Sequence, residues 1–320
     1  MALMLLLQEH LQHRRIQTPL LAITVDHQLR AESTEEAEQL SKVCRERWNV
    51  HHIVRQCEWS DGDSSEASSR TKPRASKLEE AARVYRYDLL KETCRQHGVR
   101  CLFVGHTIGD QQETMLFRLG RASGINGLAG MARVSHLAVG DRTVQSPVDP
   151  VQAMPNTLVV DLVRPLLSVS KSELRATCDR FNQPWVEDPE NNNLAYDRVR
   201  IRQELERLES EQGLPAVDLL SRFQQSASAA KMEFARAERK ILRKYTLRRT
   251  PELVVLKSDF LHDREIFAEL RSRIFSAIVT EIGTKDSPPR LESVNRLIRD
   301  LEHLEIGKKV TLSGCCVSAR

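Results

Sequence analysis

Residues 101–116 read Cys-Leu-Phe-Val-Gly-His-Thr-Ile-Gly-Asp-Gln-Gln-Glu-Thr-Met-Leu, and this stretch decides the fold class. Its short apolar run at residues 101–104 predicts a buried strand. Polar residues follow at once, and Asp110 with Glu113 three positions later is the pattern of a capping box at the start of a helix. The stretch therefore predicts a strand, a short turn and a helix.

The same alternation of strand and helix extends to both sides of this stretch. Apolar runs predict strands at residues 20–25, 51–59 and 158–163, and capping boxes or helical spacing predict helices at residues 33–47, 76–98 and 170–181. Strands that alternate with helices predict an α/β fold with a parallel sheet covered on both faces. Ligands of such sheets bind beyond the carboxyl ends of the strands, where Asp26, His27 and residues 106–110 fall.

The composition is that of a globular chain with one strong asymmetry of charge. The 320 residues suggest about two domains, and 48 Lys and Arg against 44 Asp and Glu give a net charge of only +4. Residues 231–250 hold eight of these cations and two Glu, a local charge of +6. We expect an α/β domain at residues 1–207 and a mainly helical domain at residues 214–320, whose basic stretch is either a solvated helix face or a nucleic-acid contact.

Cysteine usage and the start of the chain restrict the compartment. The seven cysteines are odd in number and show no CxxC spacing, so we expect buried thiols in a reducing compartment and no metal site. The apolar run at residues 1–7 lacks the flanks of a signal peptide and is too short to span a membrane. It also lacks an N-cap residue, so the chain looks as if it begins inside a fold. A cytoplasmic or mitochondrial location is expected.

Six segments occur in one order along the chain. They read VDHQLR at residues 25–30, EAARVYRY at 80–87, GHTIGDQQET at 105–114, GINGLAGM at 124–131, RPLL at 164–167, and WVED through RVRIR at 185–202. Together they resemble the tRNA(Ile)-lysidine synthetase family of N-type ATP pyrophosphatases. The resemblance is continuous to about residue 207 and weaker beyond it. It implies a PP-loop nucleotide domain, similar to the adenine nucleotide alpha hydrolases, at residues 1–207 and a substrate and tRNA domain at residues 214–320.

The resemblance also implies a reaction. In the family, ATP adenylates C2 of cytidine 34 in tRNA(Ile), and the amine of free lysine then displaces AMP to give lysidine, so the enzyme is a carbon–nitrogen ligase. The implied ligands are ATP, Mg²⁺, free lysine and tRNA(Ile). A homodimer is compatible with the resemblance, and no membrane is involved.

Roles carried over from the family fall on individual residues. Catalytic roles fall on Asp110, Arg83 and Arg86, ATP contacts on Asp26, His27 and His106, and Mg²⁺ on Asp110 with Glu113. Substrate or tRNA contacts fall on Gly124, Gly127, Asp188, Asn191, Arg198, Arg200 and Arg202. The local charge of +6 adds Arg239, Lys240, Arg243 and Lys244 as expected tRNA contacts.

The chain departs from the family pattern in several places. The family's S-G-G-x-D-S phosphate loop is absent from the sequence, although Met1-Ala-Leu matches the start of the helix that follows it. Gly109-Asp110 stands where the family has two Asp, Glu190 replaces a Ser, and Val199 replaces an Asn. Because a nest of backbone donors stabilises transferring phosphates, we expect the 320 residues as written to make no lysidine.

Simpler structural roles compete with these assignments. Asp110 with Glu113 could be only a cap, Arg83 and Arg86 could pair with acidic neighbours on one helix face, and Asp26-His27 could be only a strand-end turn. His106 could be a supporting residue, and the glycines could be loop geometry. Two functional alternatives also stay open: a non-catalytic tRNA-binding remnant, and another N-type ATP pyrophosphatase such as a tRNA thiolation enzyme. The second is disfavoured because CxxC pairs are lacking.

Overall fold

The computed structural model describes residues 1–30, 32–60, 70–71, 75–121, 123–139, 158–185, 197–283, 288–303 and 305–318. Within these ranges the chain forms two compact units. The first unit contains residues 1–104, 136–139 and 158–163, and the second contains residues 105–135 and those from 164 onward. This division differs from the boundary expected at residues 207–214, which stays a prediction. Asp188 and Asn191 lie outside the described residues.

The first unit alternates helices with short strands. Its helices are α1 (Ala2–His13), α2 (Ser33–Glu46) and α3 (Ala75–Gln96), and its strands are β1 (Leu21–Asp26), β2 (His51–Gln56), β3 (Trp59–Ser60), β4 (Arg70–Thr71), β5 (Cys101–Phe103), the latter part of β6 (Val134–Val139), and β7 (Leu158–Val163). Strand β1 pairs in parallel with β2, and β5 pairs in parallel with β7, which also borders β6. The predicted α/β class with parallel strands is confirmed.

Apolar packing between helix and strand explains why these runs become strands. Leu90 and Cys94 of α3 pack with Leu102, Val160 and Leu162 of β5 and β7. At the start of the chain, most apolar side chains of α1 are only partly buried. Ala2 is buried, whereas the larger side chains of this helix are half-buried or exposed.

The start of α2 corrects one capping prediction. The pattern Ser33-x-x-Glu36 predicts a capping box, but the Ser33 hydroxyl donates to the Asp26 carboxylate at 2.6 Å. Glu36 instead accepts from Arg30 at 3.0 Å. The predicted box is wrong because a buried, charged acceptor at the end of β1 lies within reach of Ser33 and forms the stronger hydrogen bond.

The second unit is mainly helical. Its helices are α4 (Ile108–Leu119), α5 (Gly124–Leu128), α6 (Lys171–Arg180), α7 (Asp197–Gln212), α8 (Ala216–Tyr245), α9 (Asp259–His262), α10 (Ala268–Ile282) and α11 (Leu291–Glu302). Two antiparallel hairpins accompany them, β8 (Thr246–Thr250) with β9 (Leu253–Leu256), and β10 (Lys309–Leu312) with β11 (Cys315–Ser318). Phe260, Ile274, Val279, Val294 and Leu297 form the centre of its largest apolar core.

The cysteines and the helix lengths bear on two further expectations. All seven cysteines are free. Five of them are buried as expected, whereas Cys101 and Cys316 are exposed. In the part of the chain that the structure describes, no helix combines the length and apolarity needed to cross a membrane.

A half-buried histidine should make the stability of the first unit depend on pH. The His52 ring lies between the hydroxyls of Thr24 (2.8 Å) and Ser41 (2.6 Å). Burial, with positive charge from His51 and Arg45, holds the pKa of His52 below its usual value of 6.5. Below pH 6.5 the unfolded chain therefore binds more protons than the folded one, and stability falls as the pH drops.

We expect His52→Gln to reduce this loss of stability at low pH. Urea unfolding at several pH values below 7 measures it, with replacement of the exposed His303 as the matched control. Part of the dependence of the unfolding free energy on pH should remain in His52→Gln, because burial and the charge of Arg86 also lower the pKa of His27. Equal slopes in the wild type and His52→Gln would contradict the prediction.

Candidate functional site

Asp26 ends β1 as a buried carboxylate that is 3% exposed. It accepts hydrogen bonds from the Gln28 amide (2.9 Å), the Ser33 hydroxyl (2.6 Å) and the Thr34 hydroxyl (2.8 Å). Burial raises the pKa of Asp26, but these hydrogen bonds outweigh it and hold the pKa below its usual value. Asp26 is therefore an ionised carboxylate that links the end of β1 to the start of α2 by hydrogen bonds. Its contact with ATP stays a prediction.

His27 follows Asp26 in the chain, and Arg86 of the first unit lies near it. The His27 backbone oxygen accepts from the Trp59 indole at 2.9 Å, and its Nδ1 lies 3.6 Å from Cys57 Sγ. Burial and then the positive charge of Arg86 lower the pKa of His27, while Asp26 opposes them. The imidazole is consequently neutral at pH 7. The structure thus brings Arg86 close to the adjacent pair Asp26 and His27, although Arg86 follows Asp26 by 60 residues in the sequence.

Arg83 and Arg86 lie against one aromatic ring on α3. Their guanidinium carbons are 5.3 Å and 5.5 Å from the centroid of Tyr87. Such cation–π contacts hold a guanidinium in a fixed direction without neutralising its charge. The arrangement suits cations that face phosphate, and that role stays a prediction.

Asp110 occupies a different position in α4 from the one the sequence suggested. Helix α4 begins at Ile108, so Thr107 is the N-cap residue and Asp110 is the third residue of the helix. The Asp110 Oδ2 atom accepts from the Thr107 amide at 2.7 Å and from its hydroxyl at 2.8 Å. The predicted capping pair of Asp110 with Glu113 is wrong, and Thr107 is the partner. His106 is half-buried in the turn just before this cap.

Glu113 is instead the buried partner of an ion pair. Its Oε1 atom lies 2.7 Å from the Arg202 Nε atom, with 4% of the Glu113 side chain and 28% of the Arg202 side chain exposed. Burial raises the pKa of Glu113, as does the charge of Asp110, while Arg202 and Arg198 partly offset them. A carboxylate with a raised pKa beside a second acid is typical of functional sites.

The three predicted arginines of α7 separate on two faces of the helix. Arg198 and Arg202 lie four residues apart on one helix face, and the charge of each lowers the pKa of Glu113. Arg200 lies on the opposite side, is exposed, and pairs with Asp197. The structure therefore brings together Asp110, Glu113, Arg198 and Arg202 in the second unit and leaves Arg200 out of this cluster.

Magnesium fits this cluster only in part. The described residues contain no group of three or more His, Cys, Asp or Glu side chains arranged to hold a metal ion. Mg²⁺ commonly uses one or two protein carboxylates together with substrate phosphates. Asp110 fits that pattern, because only its Oδ2 atom is used by Thr107. Glu113 fits it poorly, since the Arg202 guanidinium already occupies it and would repel a cation.

The glycine segment is a packed helix with its following turn, whereas loop geometry was the simpler alternative given for its glycines. Residues 124–128 form α5. A Cβ atom on Gly127 would lie 2.4 Å from the Ser123 Cβ atom, and Gly130 has φ of +68° against the Gln111 amide. Gln111 donates to the Met131 oxygen at 2.9 Å and accepts from its amide at 2.6 Å. Packing accounts for Gly127 and Gly130, and substrate contact by Gly124 and Gly127 stays a prediction.

Sequence reasoning missed two glutamines next to Asp110 that organise the second unit. Gln111 holds the 130–131 turn, and Gln112 donates to the Val217 oxygen at 3.0 Å. Gln224 of α8 in turn donates to the Ala129 oxygen at 2.7 Å. Both Gln111 and Gln112 are buried, so their amides fix α4, α5 and α8 together. A pair of adjacent Gln in a helix carries no sequence signal for such a role.

The basic stretch continues from α8 into β8, and only part of it forms one surface. Arg239, Lys240 and Arg243 are exposed and line one open pocket on α8 together with Arg236, which pairs with Glu233. The fourth predicted contact, Lys244, forms an ion pair elsewhere. Its Nζ atom is 3.2 Å from Asp263, and contacts with Tyr245 and then Asp263 raise the pKa of Lys244 to about 12.

Comparisons with known proteins agree with this fold. Residues 1–209 match the family model of the PP-loop domain. The chain is 36% identical over 202 residues to tRNA(Ile)-lysidine synthase of Brucella ovis, an alignment that covers 63% of this chain and 38% of that protein. The corresponding protein of Brucella suis biovar 1 is 35% identical over the same coverage. The chain thus spans less than half the length of these relatives.

The comparison with solved structures gives the following example. It is the U34-tRNA thiolase NcsA from Methanococcus maripaludis with its [4Fe-4S] cluster, at 12% identity and a TM-score of 0.48, covering 71% of this chain and 68% of that one.

Proposed function

This chain belongs to the PP-loop domain family, and from that membership we propose that it is a tRNA-modifying ligase. The proposed reaction joins free lysine to cytidine 34 of tRNA(Ile) through an adenylated cytidine. Identity to tRNA(Ile)-lysidine synthases across 63% of the chain supports this choice within the family.

The observation that carries the proposal is the Glu113–Arg202 ion pair. It joins two of the six family-like segments across 89 positions of sequence and places them in one cluster with Asp110 and Arg198. Adenylation develops negative charge on phosphate, which guanidinium groups stabilise. The later attack by lysine requires its amine to lose a proton, and a carboxylate of raised pKa such as Glu113 suits that task. This second-unit cluster therefore offers both kinds of group that the reaction needs.

The first unit supplies groups suited to the nucleotide. Arg83 and Arg86 lie against the Tyr87 ring, and the neutral His27 imidazole can hydrogen-bond without adding charge. Where Mg²⁺ is bound, Asp110 is the carboxylate that would hold it, and the ion would neutralise phosphate charge. On the tRNA side, Arg239, Lys240 and Arg243 would lie on the phosphate backbone.

Nucleoside analysis of tRNA tests the proposal directly. The full product of the gene, including any residues encoded before Met1 or after Arg320, is incubated with ATP, isotopically labelled lysine and unmodified tRNA(Ile). We expect labelled lysidine at position 34, dependent on ATP and on lysine. A sulfur-containing nucleoside would instead identify a thiolation enzyme. Binding of tRNA without any new nucleoside would favour a non-catalytic remnant.

Asp110 can be tested against its capping role by a matched pair of variants. Asp110→Asn keeps an oxygen that can accept from the Thr107 amide but removes the charge, and Thr107→Val perturbs the same cap from the other side. We expect each to cost about 1 kcal/mol or less of stability. In the full product of the gene, adenylation, measured by pyrophosphate release, should fall sharply only in Asp110→Asn. Equal adenylation rates in the two variants would reduce Asp110 to a capping residue.

A further inference from the structure

Helices α4 and α7 enclose an open groove on the second unit. Its volume is about 460 Å³, which lies within the range of sites that bind small ligands. The end of α4 and the first two turns of α7 supply its walls. Among the described residues that line the groove, none belongs to the cluster of Glu113 with Arg202. The side chains that matter below are Phe117, Arg121, Asp197, Arg200 and Glu204.

A guanidinium group lies over an aromatic ring in this groove. The Arg121 guanidinium carbon is 4.1 Å from the centroid of the Phe117 ring. The Arg121 amide still donates to the Arg118 oxygen at 3.2 Å, so the chain keeps turning past the end of α4 and brings Arg121 back over Phe117. The ring covers one side of the guanidinium, and because Arg121 is exposed the other side is open. Unpaired RNA bases stack on planes of this kind.

The start of α7 adds a hydrogen-bond acceptor to the groove. Arg200 pairs with Asp197 through the Oδ1 atom, and no described residue donates to the Oδ2 atom. Glu204 differs, because Arg207 occupies both of its carboxylate oxygens at 2.6 Å and 3.0 Å. The groove therefore offers Asp197 Oδ2 as an acceptor beside the remaining N–H groups of Arg200. A carboxylate is the acceptor that suits the amino group of a base such as cytosine.

The charges in the groove favour a neutral ring over a phosphate. Two arginines and two carboxylates line it, so their formal charges cancel. A phosphate would be repelled by the carboxylates, whereas a base carries no charge. An aliphatic ligand would leave the open side of the Arg121 guanidinium unused. One stacking plane and one acceptor together match an aromatic ring that carries an amino group.

We propose that this groove binds an unpaired base of single-stranded RNA, and that the base carries an exocyclic amino group. The base stacks on the open side of Arg121, which the Phe117 ring supports, and its amino group donates to Asp197 Oδ2. Because the groove lacks the groups assigned to the chemistry, this base is a different one from the base that reacts. It contributes to the choice of RNA, and this RNA source rests on the proposed function.

Two short pyrimidine oligonucleotides test the site. Fluorescein-labelled oligo(C) and oligo(U) carry the same phosphates, but cytosine has an amino group where uracil has a carbonyl oxygen. Fluorescence anisotropy measures their binding to the full chain, at a salt concentration high enough to weaken phosphate contacts. We expect oligo(C) to bind about fivefold or more tightly than oligo(U). Equal affinities, or no measurable binding of oligo(C), would overturn the proposal.

Asp197→Asn tests recognition of the amino group. The new amide presents a donor as well as an acceptor, so the preference for oligo(C) should fall to about twofold or less. Asp218→Asn is the matched control, since the Asp218 side chain is 56% exposed against 55% for Asp197 and also pairs with an arginine of its own helix. It should keep the wild-type preference. An unchanged preference in Asp197→Asn would contradict the assigned acceptor.

Phe117→Leu tests the stacking surface without a change of charge. We expect oligo(C) to bind about tenfold more weakly, with an unchanged salt slope because no cation is removed. Phe223→Leu on α8, where Phe223 is 48% exposed, should bind like the wild type. Melting curves show whether Phe117→Leu is folded, and Arg121→Met at an exposed position provides a second loss of the stacking plane. Wild-type affinity in a folded variant would remove the basis of the proposal.

Cytidine monophosphate distinguishes a base in a strand from a free nucleotide. It should bind at least about tenfold more weakly than oligo(C), because it lacks the neighbouring phosphates of a strand. Equal affinities would assign the groove to a free nucleotide and overturn the RNA source. None of these measurements needs lysidine to form, so failure of the proposed reaction would leave the test of the groove intact.

Discussion

In the full product of the gene, replacement of Arg202 by Met should lower the free energy of unfolding by about 3 kcal/mol and abolish lysidine formation. The change leaves the buried Glu113 carboxylate without its guanidinium partner. A buried charge that loses its partner is far more costly than the pair is worth, which is the reason for the large effect. The loss should shrink at low pH, because a protonated Glu113 has no charge to compensate. Urea unfolding at pH 5 and at pH 8 measures the loss of stability and its dependence on pH. Nucleoside analysis of tRNA measures lysidine formation.

Arg200→Met is the matched control for this prediction. Arg200 lies on the same helix, is 61% exposed at its side chain and pairs with Asp197, so its loss should change stability by less than about 1 kcal/mol. If Arg200→Met and Arg202→Met are equally stable at pH 8, the Glu113 pair is no more important than a surface ion pair.

A double variant separates stability from chemistry at the same pair. Glu113→Gln combined with Arg202→Met removes both charges, so much of the lost stability should return. Lysidine formation should stay undetectable if either group acts on the substrate. Recovery of modification in the double variant would show that the pair only supports the fold.

Strand positions were the most predictable part of this fold. The apolar runs at residues 20–25 and 158–163 match β1 and β7 within one residue, because a buried strand needs little beyond continuous apolar character. Capping boxes were less predictable. The pattern at Ser33 and Glu36 was diverted by Asp26, and the pattern at Asp110 and Glu113 began three residues too late. Thr107 with Asp110 has the same spacing as Asp110 with Glu113. The sequence therefore contains two possible capping boxes, and the local pattern does not decide which of them forms.

The candidate site shows a second limit of sequence reasoning. Arg198, Arg200 and Arg202 alternate in sequence, and charge alone treats them as one set. Only the start of α7 at Asp197 makes their helical spacing relevant, and that spacing puts Arg198 and Arg202 together. The partner of Arg202 then depends on tertiary packing across 89 residues. The resemblance to the family identified Glu113 and Arg202 as candidate site residues. Their pairing could be seen only in the folded structure.

Reversal of Arg239, Lys240 and Arg243 to Glu should weaken tRNA binding on the order of 100-fold and flatten its salt dependence. Of the five cations at residues 236–244, these three are the expected tRNA contacts, because Arg236 pairs with Glu233 and Lys244 with Asp263. Each phosphate contact releases condensed counterions, so the slope of log affinity against log salt should fall by roughly 2 to 3 for three contacts. Filter binding of tRNA over a series of salt concentrations measures both quantities.

A control with the same change of net charge separates local contact from overall electrostatics. Arg95, Arg207 and Arg222 are exposed and each lies in a surface ion pair, so their reversal to Glu also changes the net charge by −6. General repulsion of RNA would weaken binding similarly in both triple variants. A contact surface on α8 would give the loss of affinity and the flattened slope only in the first. Melting curves should be close for all three proteins, since the reversed side chains are exposed and the apolar face of α8, with Ile241 and Leu242, stays packed. An unchanged salt slope in the folded α8 variant would contradict the assignment and favour the arginines of α7 as the tRNA contact.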